Sequence, residues 1–190
     1  MTPADRELAA RIRAAMRRAP YRVAVSGLDG SGKSTLCAAL ADALGLPVVR
    51  VPDRERVAAR IAAGADPGSA QLRALQAQLV EAPAAAILDR GPLCVAAIHP
   101  DMLGLARLLA RSQYVATVLL DLPLDLARAR KVDPEAELRD RDREAARYRE
   151  LAARWPRTVV IDASRPPEAV RSAALAAVAR AVGVAVPSAS

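Results

Sequence analysis

Ten consecutive residues, Ser26-Gly27-Leu28-Asp29-Gly30-Ser31-Gly32-Lys33-Ser34-Thr35, hold three glycines, one lysine, one carboxylate and four hydroxyls. Gly27 to Ser34 fits the pattern G-x-x-x-x-G-K-[ST], with an apolar run before it and a helical pattern after it. Glycines let successive backbone N–H groups point into one concavity, and a helix start adds a field that favours anions. The chemistry is therefore the cradling of a nucleotide polyphosphate. Gly27, Gly30, Ser31 and Gly32 supply the loop. Lys33 reaches toward the β- and γ-phosphates, the Ser34 hydroxyl suits Mg²⁺, and Thr35 adds a hydroxyl near the α-phosphate. The pattern does not name a reaction, because kinases, GTPases and motor ATPases share it.

Such a loop needs a strand and a helix to hold it. RVAVSG (22–27) reads as a buried strand and TLCAALADALG as the helix, with Gly45 as its stop. LPVVRV, AAAILDRGP, YVATVLLDL (114–122) and RTVVIDAS read as four more strands. Helical patterns fall at 4–18, over DRERVAARIAAG, over QLRALQAQLVEA, at 101–111, after Pro123, at 135–154 and over RPPEAVRSAALAAVARAVG. ADPGS (65–69) reads as a loop. Apolar strands alternating with helices predict a five-stranded parallel sheet covered on both faces, with ligands beyond the strands' carboxyl ends. The turns SGLDGSGKS, VPDRER, DRGP and ASRP each follow a strand and should converge on one rim.

The chain of 190 residues fits one domain, with 1–20 as an N-terminal helical extension and 184–190 as a frayed tail. Apolar residues make up 53%, yet there is no Phe and one Trp, so the core must be built from Ala, Leu and Val. Trp155 reads as a packing plug. The net charge is +7 and almost wholly arginine; Lys33 and Lys131 are the only lysines. No long basic block and few stacking aromatics occur, which favours a small phosphorylated ligand over nucleic acid. Cys37 and Cys94 read as buried free thiols, and the lone His99 as no metal ligand. The charged start is no signal peptide and no apolar run spans a membrane, so a cytoplasmic location is expected. Gln76 and Gln78 are placed facing an acceptor, or else on an exposed helix face.

SGLDGSGKST, VRVPDRE, ILDRG, LLDLPLDLARAR and VVIDASRP occur in this order, and together they resemble the thymidylate kinase family of nucleoside monophosphate kinases. The resemblance covers about residues 22–181 and implies a three-layer P-loop kinase fold, ATP and Mg²⁺ as cofactors, a lid at 131–143 and a homodimer. It places Asp29 near the acceptor, Asp89 near Mg²⁺ and Arg90 on the acceptor phosphate, or else Asp89-Arg90 as a strand-end ion pair. Arg130 matches the arginine that opens the lid. Lys131, Arg139, Arg141 and Arg143 follow as lid cations or as a solvated helix face. Ser164-Arg165-Pro166 matches the segment that borders adenine, or forms only a helix start.

The donor half matches the family and the acceptor half departs from it. Gly91-Pro92 stand where the family has Tyr, no Phe can stack on a base, and the second acceptor arginine is absent from its usual helix. Asp53, Arg54 and Arg73 are the substitutes the sequence offers. The expected reaction is γ-phosphoryl transfer from ATP to a nucleoside monophosphate. The alternatives are a nucleoside or another hydroxyl metabolite as acceptor, and a nucleotide-dependent switch or regulatory ATPase suggested by the basic first helix (Arg6, Arg11, Arg13, Arg17, Arg18).

Overall fold

Val23, Ala24 and Val25 are fully buried, as the uninterrupted apolar run of RVAVSG requires of a strand covered on both faces. The computed structural model describes residues 1–16, 21–131 and 140–186. The strands are β1 (Arg22–Gly27), β2 (Val48–Arg50), β3 (Ala86–Asp89), β4 (Ala116–Asp121) and β5 (Thr158–Asp162), at the five places expected. They form one parallel sheet in the order β2-β3-β1-β4-β5. The register pairs Val25 with Asp89, Gly27 with Leu120, and Arg50 with Asp89. Loop, DR turn and β2 turn therefore leave the sheet at one rim.

The helices are α1 (Pro3–Met16), α2 (Lys33–Leu44), α3 (Arg54–Ala62), α4 (Pro67–Glu81), α5 (Pro92–Ile98), α6 (Leu103–Gln113), α7 (Leu124–Arg130), α8 (Arg141–Ala152) and α9 (Pro167–Ala181). Adjacent strand residues point to opposite faces. Ile87 and Val118 join Leu8, Ile12, Leu40, Leu175 and Val178 from α1, α2 and α9 in one core. Leu88 and Leu119 join Leu75, Leu79, Leu93, Tyr148 and Trp155 in the other. Trp155 packs as expected, and Cys37 and Cys94 are buried and free.

Several boundaries differ from the sequence expectation. ADPGS is not a loop throughout: Asp66 caps α4 by accepting from the Ser69 N–H at 3.0 Å, and Pro67 opens the helix. Pro92–Ile98 is a helix that the sequence reading passed over. The first helix is no loose extension, since Leu8, Ala9, Ile12 and Met16 enter the core. Beyond α9 the Val184 N–H donates to the Ala179 carbonyl at 2.8 Å, and Val184 and Val186 pack on the core, so fraying does not begin at 184. Residues 187–190, Arg17, Arg18 and Arg139 lie outside the described residues, as does most of the expected lid. Among the described residues, no helix is long and apolar enough to cross a membrane.

Candidate active site

β1 delivers the chain to Gly27 with φ 141°, where an added Cβ would meet the Leu120 carbonyl oxygen at 2.5 Å. The loop turns tightly, with the Ser31 N–H donating to the Leu28 carbonyl at 3.1 Å. At Gly30, φ is 88° and a Cβ would lie 2.1 Å from the Ala127 carbonyl oxygen, so only glycine lets α7 approach. Gly32 caps α2 in the left-handed conformation, and the helix begins at Lys33.

Lys33 is only 6% exposed; its Nζ donates to the Leu28 carbonyl at 2.7 Å and lies 3.6 Å from the Asp29 carboxylate. Burial first, then the positive Arg90, hold its pKa below a lysine's ordinary 10.5, while Asp29 pulls the other way. Ser34 Oγ donates to Asp89 Oδ2 at 2.6 Å, and Arg50 Nε lies 3.7 Å from the same oxygen. Arg90 adopts φ 83°, ties its N–H to the Val25 carbonyl at 2.9 Å and pairs its guanidinium with the buried Asp29 carboxylate. Arg130 Nη1 donates to the Ala163 carbonyl at 2.8 Å, joining the end of α7 to the turn after β5.

These groups line one cleft of about 780 Å³. Asp29, Gly30, Gly32, Lys33, Ser34, Thr35 and Asp89 line it near the start of α2, and Arg130 and Lys131 from the end of α7. Arg50, Arg54 and Arg90 line it together with an apolar wall of Val57, Ala58 and Ile61 on α3. Among the described residues no group of three His, Cys, Asp or Glu could hold a metal. A hydroxyl beside a carboxylate, both hard oxygen donors at a loop that can present phosphate oxygens, nevertheless fits Mg²⁺, which keeps several of its waters.

Other expected residues are not brought to the cleft. Arg73 and Gln76 line a second cavity beside Leu105 and Leu108, away from the loop. Asp53 caps α3, accepting from the Arg56 N–H at 3.0 Å, and does not line the cleft. Gln78 faces the β2 turn instead of a ligand: its Oε1 accepts from the Asp53 N–H at 2.7 Å, and its Nε2 donates to the Arg50 carbonyl at 3.1 Å. Gly27 and Ser31 shape the loop from beneath, with Ser31 Oγ 2.9 Å from the Cβ position of Gly27. Arg165 is exposed in the turn after β5, outside the cleft lining. Arg143 is exposed at the start of α8, whereas Arg141 is 2% exposed and donates to the Asp29 carbonyl at 2.8 Å. Sequence reading missed Arg50 and Gln71. The signal for Gln71 was its spacing of seven from Gln78, which puts both on one helix face.

No family model and no curated protein matches the chain. Solved structures do. Deoxyadenosine kinase from M. mycoides with products dCMP and a flexible dCDP bound is 17% identical, with a TM-score of 0.61 over 81% of this chain and 96% of that one. YorR protein from Bacillus subtilis in complex with phosphorylated GDP is 16% identical, with a TM-score of 0.60 over 81% and 92%. A gluconokinase from Sinorhizobium meliloti 1021 is 19% identical, with a TM-score of 0.56 over 86% and 94%. These likenesses carry the fold and not the thymidylate-specific part of the sequence resemblance. The chain has the five-stranded parallel sheet and surrounding helices of P-loop kinases.

Proposed function

We propose that this chain is an ATP- and Mg²⁺-dependent small-molecule kinase whose acceptor is a nucleoside monophosphate, in the manner of thymidylate kinases. The observation that carries this reading is a single cleft that unites the Lys33 loop and the Ser34–Asp89 pair with Arg50, Arg54 and Arg90. The Ser34 and Asp89 oxygens would hold Mg²⁺, which would neutralise phosphate charge when bound. Lys33 and the loop N–H groups bind and orient the triphosphate. Arg130 and Lys131 bring cations to the cleft from α7, where they favour the charge that spreads over the transferring group. Positioning and electrostatics do most of the work in this reaction.

The acceptor side supports an anion. Arg50, Arg54 and Arg90 line the same side of the cleft, a concentration of guanidinium groups that an acceptor phosphate would answer. Val57, Ala58 and Ile61 offer an apolar wall, and the Gln71 amide one donor group and one acceptor. A second reading rests on Asp29 itself: a buried carboxylate lining the cleft can take the proton of an unphosphorylated hydroxyl acceptor, a nucleoside or another metabolite. A cytoplasmic location and a homodimer also belong to this proposal, the homodimer through the family resemblance.

The test is product mass and ADP formation with ATP, Mg²⁺ and a panel of nucleoside monophosphates, nucleosides and deoxynucleosides, with Lys33→Ala as control. Turnover on a monophosphate supports the first reading, and turnover confined to unphosphorylated acceptors supports the second. Silence across the panel while ATP still binds refutes both nucleotide readings.

A further inference from the structure

A loop that points its N–H groups into a phosphate cradle turns carbonyls outward, and each buried carbonyl needs a donor. The Leu28 carbonyl has two, the Ser31 N–H at 3.1 Å and Lys33 Nζ at 2.7 Å. The Asp29 carbonyl is met from 112 residues away, by Arg141 Nη2 at 2.8 Å. Arg141 opens α8, is 2% exposed and does not line the cleft. It therefore lies behind the loop, with its charge kept from water. An arginine is costly to bury and is tolerated where its donors are used.

We propose that Arg141 is a positioning residue of the phosphate loop, setting the Asp29–Gly30 peptide so that the cradle is formed before a polyphosphate arrives. The peptide is planar and trans, so fixing the Asp29 carbonyl on Arg141 aims the Gly30 N–H to the opposite side. Gly30 lines the cleft, and its Cα is held from behind by the Ala127 carbonyl of α7, which leaves no room for a Cβ. The same peptide is thus gripped from α7 at Gly30 and from α8 at Asp29. The Asp29 side chain is separately engaged by Arg90. With Arg141 in place the loop does not lose freedom on binding, which is how preorganisation raises affinity.

This inference rests on the loop's reading as a polyphosphate cradle, and the experiment separates the two. Dissociation constants for Mg²⁺-ATP and for inorganic tripolyphosphate are measured by calorimetry on the parent chain, Lys33→Ala, Arg141→Met and Arg141→Lys, with circular dichroism and Tm on each. Arg141→Met should bind tripolyphosphate roughly tenfold or more weakly, the loss of one charge-assisted hydrogen bond. Arg141→Lys keeps the charge without the planar fork and should bind roughly two- to fivefold more weakly. A residue that only supports the fold would lower Tm and leave the tripolyphosphate constant unmoved. Parental affinity in a folded Arg141→Met overturns the proposal. Should Arg141→Met not fold, Arg141→Lys decides alone: parental affinity overturns the proposal, and the smaller loss with an unchanged spectrum supports it. A parent chain that binds neither probe, or a Lys33→Ala that binds both normally, removes the cradle reading itself.

Discussion

Lys33 shows at one residue how function costs stability. Its ammonium is buried, and its partners are a carbonyl and a carboxylate 3.6 Å away that Arg90 already engages. Because its pKa is lowered in the fold, the folded chain binds fewer protons than the unfolded one between that lowered value and the ordinary 10.5. Stability therefore rises with pH through that window, and the penalty is full below it. Replacing Lys33 by Met removes the penalty while the Leu28 carbonyl keeps the Ser31 N–H. Lys33→Met should raise Tm at neutral pH by about 2–4 °C, equivalent to about 1 kcal/mol in a chain of this size, and the gain should shrink at alkaline pH. The same variant should lose phosphoryl transfer by ~10³-fold, since charge stabilisation of the transferring group goes with it. Calorimetric scans at two pH values and an ADP assay check both halves. A lower Tm at neutral pH would contradict the burial penalty. Arg90 gives a second prediction at this scale. Arg90→Ala should raise the KM for a phosphorylated acceptor by roughly 10- to 100-fold while moving the KM for ATP by less than about threefold. An unchanged acceptor KM would remove Arg90 from the acceptor side.

At the scale of elements, the site depends on how helices are phased against the rim. Residues 71 and 73 of α4 lie about 200° apart, so a helix that turns Gln71 into the cleft turns Arg73 out of it. The sequence offered Arg73 by composition, and only the packing of α4 decided between the two. The phosphate loop was legible because its geometry is written in adjacent residues: glycines, a lysine and a hydroxyl in fixed order. The five parallel strands, the DR turn at the end of the third and the convergence of turns were legible from alternation of apolar runs, whereas the order of the strands across the sheet came only with their pairing. Arg141 was not, because its partner is 112 residues away and its neighbours Asp142, Arg143 and Glu144 read as a solvated charged face. Pro92–Ile98 was hidden because it is a short, wholly apolar helix directly after a buried strand, where periodicity carries no contrast. Gln78 exemplifies an element-scale device. Its amide clamps the β2–α3 turn, and that turn carries Arg50 and Arg54 to the cleft. Gln78→Leu keeps volume and removes both bonds. The acceptor KM should rise roughly five- to tenfold with the Mg²⁺-ATP dissociation constant unchanged, because a loosened turn misplaces the arginines while α2 is untouched. Equal losses for ATP and acceptor would show that the clamp supports the whole rim.

At the scale of the whole molecule, the two faces of the sheet are filled differently. The first core, under α1, α2 and α9, is made of Leu, Val, Ile, Met, Ala and a cysteine, and among the described residues Tyr21 is the one aromatic ring packed against it. The second, under α4, α5, α6 and α8, holds Tyr114, Tyr148 and Trp155. With no Phe in the chain, these rings carry the volume that alanine-rich helices cannot. Trp155, 5% exposed just beyond α8, should therefore act as a keystone of the second layer. Trp155→Ala leaves a cavity in a close-packed layer, and should cost about 3–5 kcal/mol. At about 2–4 °C per kcal/mol this lowers Tm by roughly 6–20 °C. The site stands at the rim, built from loop, turn and helix starts, and its polar contacts do not include Trp155. Turnover per folded molecule, measured well below the new Tm, should therefore stay within about twofold of the parent. A Tm drop under about 3 °C would mean that the layer closes over the lost ring, and the aromatic share of the second core would then be packing without consequence.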